Sequence, residues 1–349
     1  LAIDSATTIK VPEAVLAERV AAALREAGAS EASLAAATRA MLHASRHGVD
    51  SHGVRLTEHY CLMLAGGRLN KNPQLQIDHK AAASAVVDGD DGLGHYAAYR
   101  AMEVACEMAK TSGIAAVGVR RSSHLGAAGA YALAGAEAGC IGFATTNTDS
   151  MVALFDGAQR FHGTNPLAFA APVPGQKPWF VDMATSSIPM NRVLLHRSLG
   201  TQLPEGIAAN AEGIPVTDPT EVNMLLPLGG ADYGYKGAAL AGVATLLSAI
   251  LMGTTLDTDF IPMYDAEDTS TPRNMGHFFM AIDPGHFVGT SAFGDGMLRY
   301  LKGLRGAPAR PGGQTMAPGD REWTIAEQRV VAGIPIDPDT ARFLGLAEF

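Results

Sequence analysis

Hydrophobic and polar positions along this chain follow two different periods. In "PEAVLAERVAAALREAG" (12–28) and "SEASLAAATRAMLHASRHG" (30–48) apolar residues recur every three or four positions, as on a helix with one buried face. Each run ends in glycine, and Ser30 stands where an N-cap accepts a backbone N–H. "EHYCLMLAGGRLN" (58–70) predicts a third helix stopped at Gly66 and Gly67. "AAASAVVDGDDGLG" (81–94) changes character to a β-branched strand and an acidic glycine turn, and "HYAAYRAMEVACEMAKTSG" (95–113) returns to the helical period.

From Ile114 strand and helix patterns alternate. "IAAVGVRRS" (114–122) reads as a strand, "AAGAYALAGAEAG" (127–139) as a helix and "CIGFATTNT" (140–148) as a strand. Three further strands follow at "LAFAAPVP" (167–174), "WFVDMATSS" (179–187) and "GHFFMAIDP" (276–284). Strands outnumber the helices available as crossovers, so the pattern predicts an α+β fold with a mixed sheet and not a doubly wound one. The connections at 195–221 and 303–322 are dense in Gly and Pro, and loops of such length often carry function.

Size and charge narrow the function. A chain of 349 residues exceeds one small core, so two domains are expected. The net charge of −9 with no basic block argues against a nucleic-acid partner, which would need clustered Lys and Arg. Cys61, Cys106 and Cys140 are widely spaced and odd in number, and "LAIDSATTIK" shows no secretory pattern; a reduced, cytoplasmic setting is expected. The most apolar run, 237–253, is short for a membrane span and is expected to be a buried core helix, with no membrane partner.

The densest candidate chemistry is "HASRHGVDSHG" (43–53). His43 and His47 are four apart and would share a helix face, as metal-binding pairs do, but no H-E-x-x-H is present. The expectation is that they lie on the helix surface and that no metal is bound. A metal-dependent lyase or hydrolase using His43, His47 and His52 is the rival reading, and a non-catalytic binding protein is another. Asp50, Ser51 and His52 follow the helix stop, where a His oriented by Ser can transfer protons, although Asp50 or Ser51 equally suits a cap. "RRSSHLGAAGAYALAG" (120–135) places His124 between a strand and a small-residue helix start, where backbone N–H groups suit an anion. It is not G-x-G-x-x-G. "GTNPLAFAAP", "VDMATSS" and "GYKGAALAG" set small or hydroxyl residues at element ends, and Lys236 between glycines is a candidate phosphate or substrate contact.

Together these stretches make the chain resemble the type-2 malate/L-lactate dehydrogenase family of NAD(P)-dependent oxidoreductases. The motifs "GVDSHGVRL", "GGRLNKNP", "SSHLGAAGAYALAGAEAGCIGFATTNT", "GTNPLAFAAP", "VDMATSS", "LPEGIAANAEGIPVTDP", "GYKGAALAGVATLLSAILMG" and "APGDRE" run in the family's order. The resemblance implies a non-Rossmann nicotinamide-binding fold, with a helical domain built from both chain ends (1–75 and 305–349) and an α+β domain (76–304) binding cofactor and substrate. It implies a homodimer, NAD or NADP as cofactor, no metal, and hydride transfer between nicotinamide and a small 2-oxo or 2-hydroxy acid, or alternatively a cyclic imine carboxylate. Ser51, His52 and His124 map to catalytic positions. His124, Leu125, Gly126, Ala127, Ala128, Asp182, Met183, Ala184, Lys236, Ala317, Pro318, Gly319, Asp320 and Arg321 map to the cofactor surface. Thr164 maps to the substrate site, and Arg55 and Arg192 are candidates to hold a substrate carboxylate. The chain departs from the family pattern at Leu56, where Arg is common, at Arg192, where some members carry an acid, and at "LFDG" (154–157).

Overall fold

The computed structural model describes residues 8–263 and 267–346. The chain enters through β1 (Ile9–Val11) and the helices α1 (Glu13–Glu26), α2 (Glu31–Arg46) and α3 (Thr57–Gly66). Ser30 caps α2 by accepting the Ser33 N–H at 3.4 Å, and Gly67 ends α3 in the left-handed conformation. Two short 3₁₀ turns, Asp50–His52 and Val54–Leu56, occupy the "DSHGVRL" stretch.

The central region follows as β2 (Gln76–Ala81), β3 (Ser84–Asp88), α4 (Gly94–Ser112), β4 (Ile114–Ser122), α5 (Gly129–Glu137) and β5 (Ile141–Thr146). Then come β6 (Val152–Ala153), β7 (Arg160–His162), β8 (Leu167–Ala171), β9 (Trp179–Met183), α6 (Met190–Leu199), β10 (Ala208–Ala209), β11 (Met224–Leu225), α7 (Gly230–Tyr233) and α8 (Tyr235–Thr245). The chain closes with β12 (Met275–Ile282), α9 (Thr290–Arg305), α10 (Asp320–Ala332), β13 (Ile334–Ile336) and α11 (Pro338–Phe343).

Seven strands form a mixed sheet in the order β2-β3-β4-β12-β5-β8-β9, in which only β3 and β4 run parallel. The fold is therefore α+β, as the excess of strands implies. Buried Ala, Val and Leu of α4 and α5 pack with the sheet strands in one core around Phe279 and Tyr131. A second core gathers Leu16, Val20, Leu24, Met41 and Tyr60 with Ile334, Ile336 and Leu344, and β1 pairs antiparallel with β13. Both chain ends thus share one apolar cluster. The extreme ends, 1–7 and 347–349, on which part of the domain expectation falls, lie outside the described residues.

Two expectations need correction, and one strand was missed. The strand read at "ASAVVD" is the second of a hairpin, because the polar "QIDHKA" of β2 lies exposed at the sheet edge and carries no alternation to reveal it. The apolar run 237–253 is not one buried helix. It passes from α8 into a π-helical turn at Leu246–Ile250, and one face stays exposed at Leu240, Val243, Leu246 and Ile250. The connection at 303–322 is shortened at both ends by α9 and α10. Among the described residues no helix is long and apolar enough to cross a membrane.

Candidate active site

Strand register brings the site together. Ser122 of β4 pairs with Met275, His277 of β12 with Thr146, Thr145 with Leu167, and Leu167 with Met183. The segments leaving or entering these positions therefore emerge at one end of the sheet, and they carry His124, Thr148, Thr164 and Ala184. The 3₁₀ turns after α2 bring Ser51, His52 and Leu56 to the same place. These residues line a cleft of about 210 Å³ with Asp149, Met151, Pro189, Met190, Asn191, Leu194 and Met263. Five residues singled out from the sequence, Ser51, His52, His124, Thr164 and Ala184, thus converge.

Each catalytic candidate is held from behind. Asp50 forms a carboxylate–guanidinium pair with Arg329 of α10, whose Nη2 donates to Oδ2 at 2.9 Å and whose Nη1 donates to the Ser45 carbonyl. Asp50 is therefore an anchor for the turn rather than a helix cap. Gly53 lets the turn lie against α2: a Cβ there would stand 2.0 Å from Ser45 Oγ, which accepts the Val54 N–H at 3.0 Å. Ser51 Oγ lies 2.8 Å from His52 Nδ1, which leaves Nε2 for the cleft.

His124 is fixed by residues that the sequence reading missed. Ser123 Oγ accepts the Gly94 N–H and donates to the Gly92 carbonyl, both at 2.9 Å, clamping the start of α4 to the loop. A Cβ on Gly94 would come within 2.0 Å of the Ser123 carbonyl, so only glycine permits this approach. Tyr60 Oη lies 2.7 Å from His124 Nδ1, and its ring meets the fully buried His95 edge-on at 4.8 Å. His277, also buried, bonds Thr146 Oγ1, Ser122 Oγ and the Ser123 carbonyl beneath the loop. The residues Tyr60 and His95 sit in ordinary helical patterns, so nothing local marked them; "GLGH", with its close-approach glycine, was the one usable signal.

The two cleft histidines stand 5.7 Å apart between ring centroids. Burial pushes His52 down to about 4, and burial together with the neighbouring His52 and His95 holds His124 well below the ordinary imidazole value. Both rings are neutral at pH 7, the form in which an imidazole accepts a proton. Thr148 is set by Asn165, whose Oδ1 accepts its N–H at 3.0 Å and whose Nδ2 donates to the buried Asp257 at 2.7 Å, and Thr148 Oγ1 accepts the Thr164 N–H at 3.1 Å. Burial alone would raise the Asp257 carboxyl, but hydrogen bonds from His162, Asn165, Gly163 and Asn147 hold it below the usual range. This network is a further feature absent from the sequence reading.

The other candidates surround β9. Leu125, Gly126, Ala127 and Ala128 form a buried small-residue stretch before α5. Half-buried Asp182 accepts the Gly129 N–H at 2.8 Å, so this chain's own carboxylate occupies the α5 N-terminus. Burial pushes Asp182 up to about 6. Met183 leads from it to Ala184 in the cleft. In the loop containing Ala317, Pro318, Gly319, Asp320 and Arg321, a Cβ on Gly319 would meet Phe180 of β9 at 2.9 Å, and Asp320 holds Arg305 at 2.7 Å. Arg321 is exposed at the start of α10, and of these candidates only Ala184 lines the cleft itself. The small residues before α5 allow close backbone approach, while the Asp182 carboxylate at the α5 N-terminus leaves that end unsuited to a phosphate. Lys236 is exposed, its ammonium 5.5 and 5.8 Å from the Tyr233 and Tyr235 rings, and it lies outside the cleft lining.

Arg55 and Arg192 are not among the cleft-lining residues either. Arg55 lines a separate hollow with Asp337, and its charge helps to lower that carboxyl, while Arg192 follows Asn191 on α6. His47 corrects the surface expectation, while His43 is half-buried. His47 is buried, its ring 4.8 Å from Trp323 and 5.7 Å from Phe180, with the His43 ring tilted against it at 4.3 Å. Aromatic side chains from β9 and α10 close over the helix face, and His47 Nδ1 bonds the His43 carbonyl. Among the described residues no group of three or more His, Cys, Asp or Glu stands together as metal ligands. A wider groove of about 1010 Å³ lies elsewhere, but Glu205, Asp218, Glu221 and Asp232 line it, and the residues around it include no histidine.

Known proteins resemble the chain along nearly its whole length. Residues 11–344 match the family model described as malate/L-lactate dehydrogenase. The malate dehydrogenase of Pyrococcus horikoshii is 35% identical over 94% of this chain and 91% of its own. The NAD(+) ureidoglycolate dehydrogenase of Escherichia coli O157:H7 is 32% identical, covering 96% of this chain and 95% of its own. The solved sulfolactate dehydrogenase of Methanocaldococcus jannaschii superposes with a TM-score of 0.89 at 29% identity, covering 96% of this chain and 95% of that one. A match of that extent, joined to a fold and cleft that bring the "DSHG" and "SSHLG" histidines face to face, places the chain in the malate/L-lactate dehydrogenase family.

Proposed function

We propose that this protein is an NAD(P)-dependent oxidoreductase interconverting a small 2-hydroxy acid and its 2-oxo acid, with His124 as the proton-transferring group. The observation that carries this reading is the convergence of His52 and His124 with Thr164 and Ala184 on one cleft. A bound nicotinamide supplies the hydride chemistry. The chain supplies the rest. Neutral His124 takes the hydroxyl proton on Nε2 during oxidation and returns it during reduction, while Tyr60 fixes the ring through Nδ1. His52, oriented by Ser51, holds the substrate oxygen. The alanine-rich stretch before α5 and the Asp182, Met183 and Ala184 stretch bind the nicotinamide end, with Lys236 and Arg321 meeting phosphates.

The test is dinucleotide-dependent absorbance change over a panel of 2-oxo and 2-hydroxy acids. Turnover should appear with NADH or NADPH, and either dinucleotide bound should show micromolar affinity, roughly −8 kcal/mol. His52→Ala and His124→Ala should each lower turnover by ~10²- to 10⁴-fold with dinucleotide affinity unchanged. Failure of every acid with both dinucleotides would overturn the reading.

The active form is a homodimer in this proposal, because the exposed face of α8 and its π turn carries Leu240, Val243, Leu246 and Ile250 in a single apolar row.

A further inference from the structure

The cleft contains one formally charged acidic or basic side chain among its described lining residues apart from the histidines, and that side chain is a carboxylate. Asp149 faces the cavity, while the Arg273 guanidinium that pairs with its Oδ1 lies behind it; their side chains are 17% and 5% exposed. The Asp149 Oδ2 accepts the Met263 N–H. Arg273 is further held over the Phe260 ring, 4.8 Å from its centroid. The cation is thus not among the lining residues and is held in an ion pair with Asp149. Around Asp149 the wall is apolar, built by Leu56, Met151, Met190, Leu194 and Met263.

A substrate with a single carboxylate needs only the hydrogen-bonding end of this cleft, at Ser51, His52, His124 and Thr164. A second anionic group would lie against Asp149 or the methionines. There it loses water, meets the carboxylate side of an ion pair and finds no Lys or Arg among the described lining residues to compensate. An aliphatic tail instead buries its surface against flexible, polarizable methionine side chains. We infer that Asp149 is a specificity-determining residue that closes the cleft to doubly charged acids, so that the substrate is a 2-oxo or 2-hydroxy monocarboxylate with an uncharged, apolar side chain. The inference rests on the oxidoreductase reading above and names its substrate class.

The experiment compares kcat/KM for 2-oxobutanoate and 2-oxopentanoate with that for oxaloacetate and 2-oxoglutarate, using the full chain and its preferred dinucleotide. The apolar acids should lead by about tenfold or more. Asp149→Asn removes the charge, keeps the side-chain size and leaves Arg273 uncompensated at the wall. It should raise kcat/KM for oxaloacetate about tenfold, mainly through KM, and lower it for 2-oxopentanoate. Leu194→Arg, at an exposed position on the rim, adds a cation without disturbing the Asp149–Arg273 pair and should also admit oxaloacetate. Wild-type protein that reduces oxaloacetate as well as the apolar acids would overturn this inference while leaving the oxidoreductase reading intact. So would two folded variants that both keep the wild-type preference. Turnover of none of the four acids, or of the wider panel, would overturn both.

Discussion

At the scale of single residues, the site depends on how neutral imidazoles are held. For His124 to accept a proton on Nε2, its Nδ1 must carry the other one, and the Tyr60 oxygen 2.7 Å away is the acceptor that favours this tautomer. Tyr60→Phe keeps the ring and its packing but removes that acceptor. Turnover for alcohol oxidation should fall about tenfold, with dinucleotide affinity unchanged. The acid limb of the pH profile should move to lower pH, since the imidazolium loses a hydrogen bond; an unmoved limb would show that Tyr60 only packs. The two cleft histidines were legible in the sequence because each follows a break in the helical or strand period. Their supports were not. Tyr60 and His95 look like core positions, and Asp50 gives no hint of a partner 279 residues away. His47 was misread for the same reason: the Phe180 and Trp323 rings that bury it come from distant segments.

Among elements, the passage from α8 into the π turn shows the limit of an apolar run as a signal. The run predicted a helix inside a core, and its small residues do pack: Ala241, Ala244, Ser248 and Ala249 are buried. Hydrophobicity alone does not say which molecule supplies the cover for the opposite face. There Leu246 is 52% and Ile250 60% exposed, and Tyr233 and Tyr235 extend the patch. If a second copy covers it, the solution mass should be near twice 36.3 kDa at micromolar concentration. Leu246→Lys combined with Ile250→Lys should return the monomer mass, as measured by light scattering or sedimentation. A wild-type monomer would remove the basis for the dimer. The sheet was read more completely, since β4, β5, β8, β9 and β12 have the alternation or apolar density of buried strands, whereas short β6, β7, β10 and β11 follow only from their pairing in a separate four-stranded sheet.

For the whole molecule, buried neutral histidines set an acid limit. Burial drives His52 and His59 to about 4, with Arg273 and Arg68 adding to the effect at His59, and drives His95 and His277 to about 3. An unfolded chain protonates these rings near 6.5, so the folded state binds fewer protons. Their contribution is complete above pH ~6.5 and is lost progressively as pH falls toward 4 and then 3. Thermal midpoints should therefore be flat above pH ~7 and fall steeply below ~6; a midpoint unchanged between pH 7 and 5 would contradict this. The pairing of β1 with β13 and of Asp50 with Arg329 has another effect, on the timing of synthesis. A ribosome delivers both histidines long before it delivers the arginine that anchors the turn between α2 and α3. Until residue 329 and β13 are made, the nascent chain holds its two cleft histidines without the frame that aligns them, and such long-range closure is slow to form. A copy that stops before Arg329 lacks both the partner of Asp50 and the strand that pairs with β1, so the turn bearing His52 is left without its anchor.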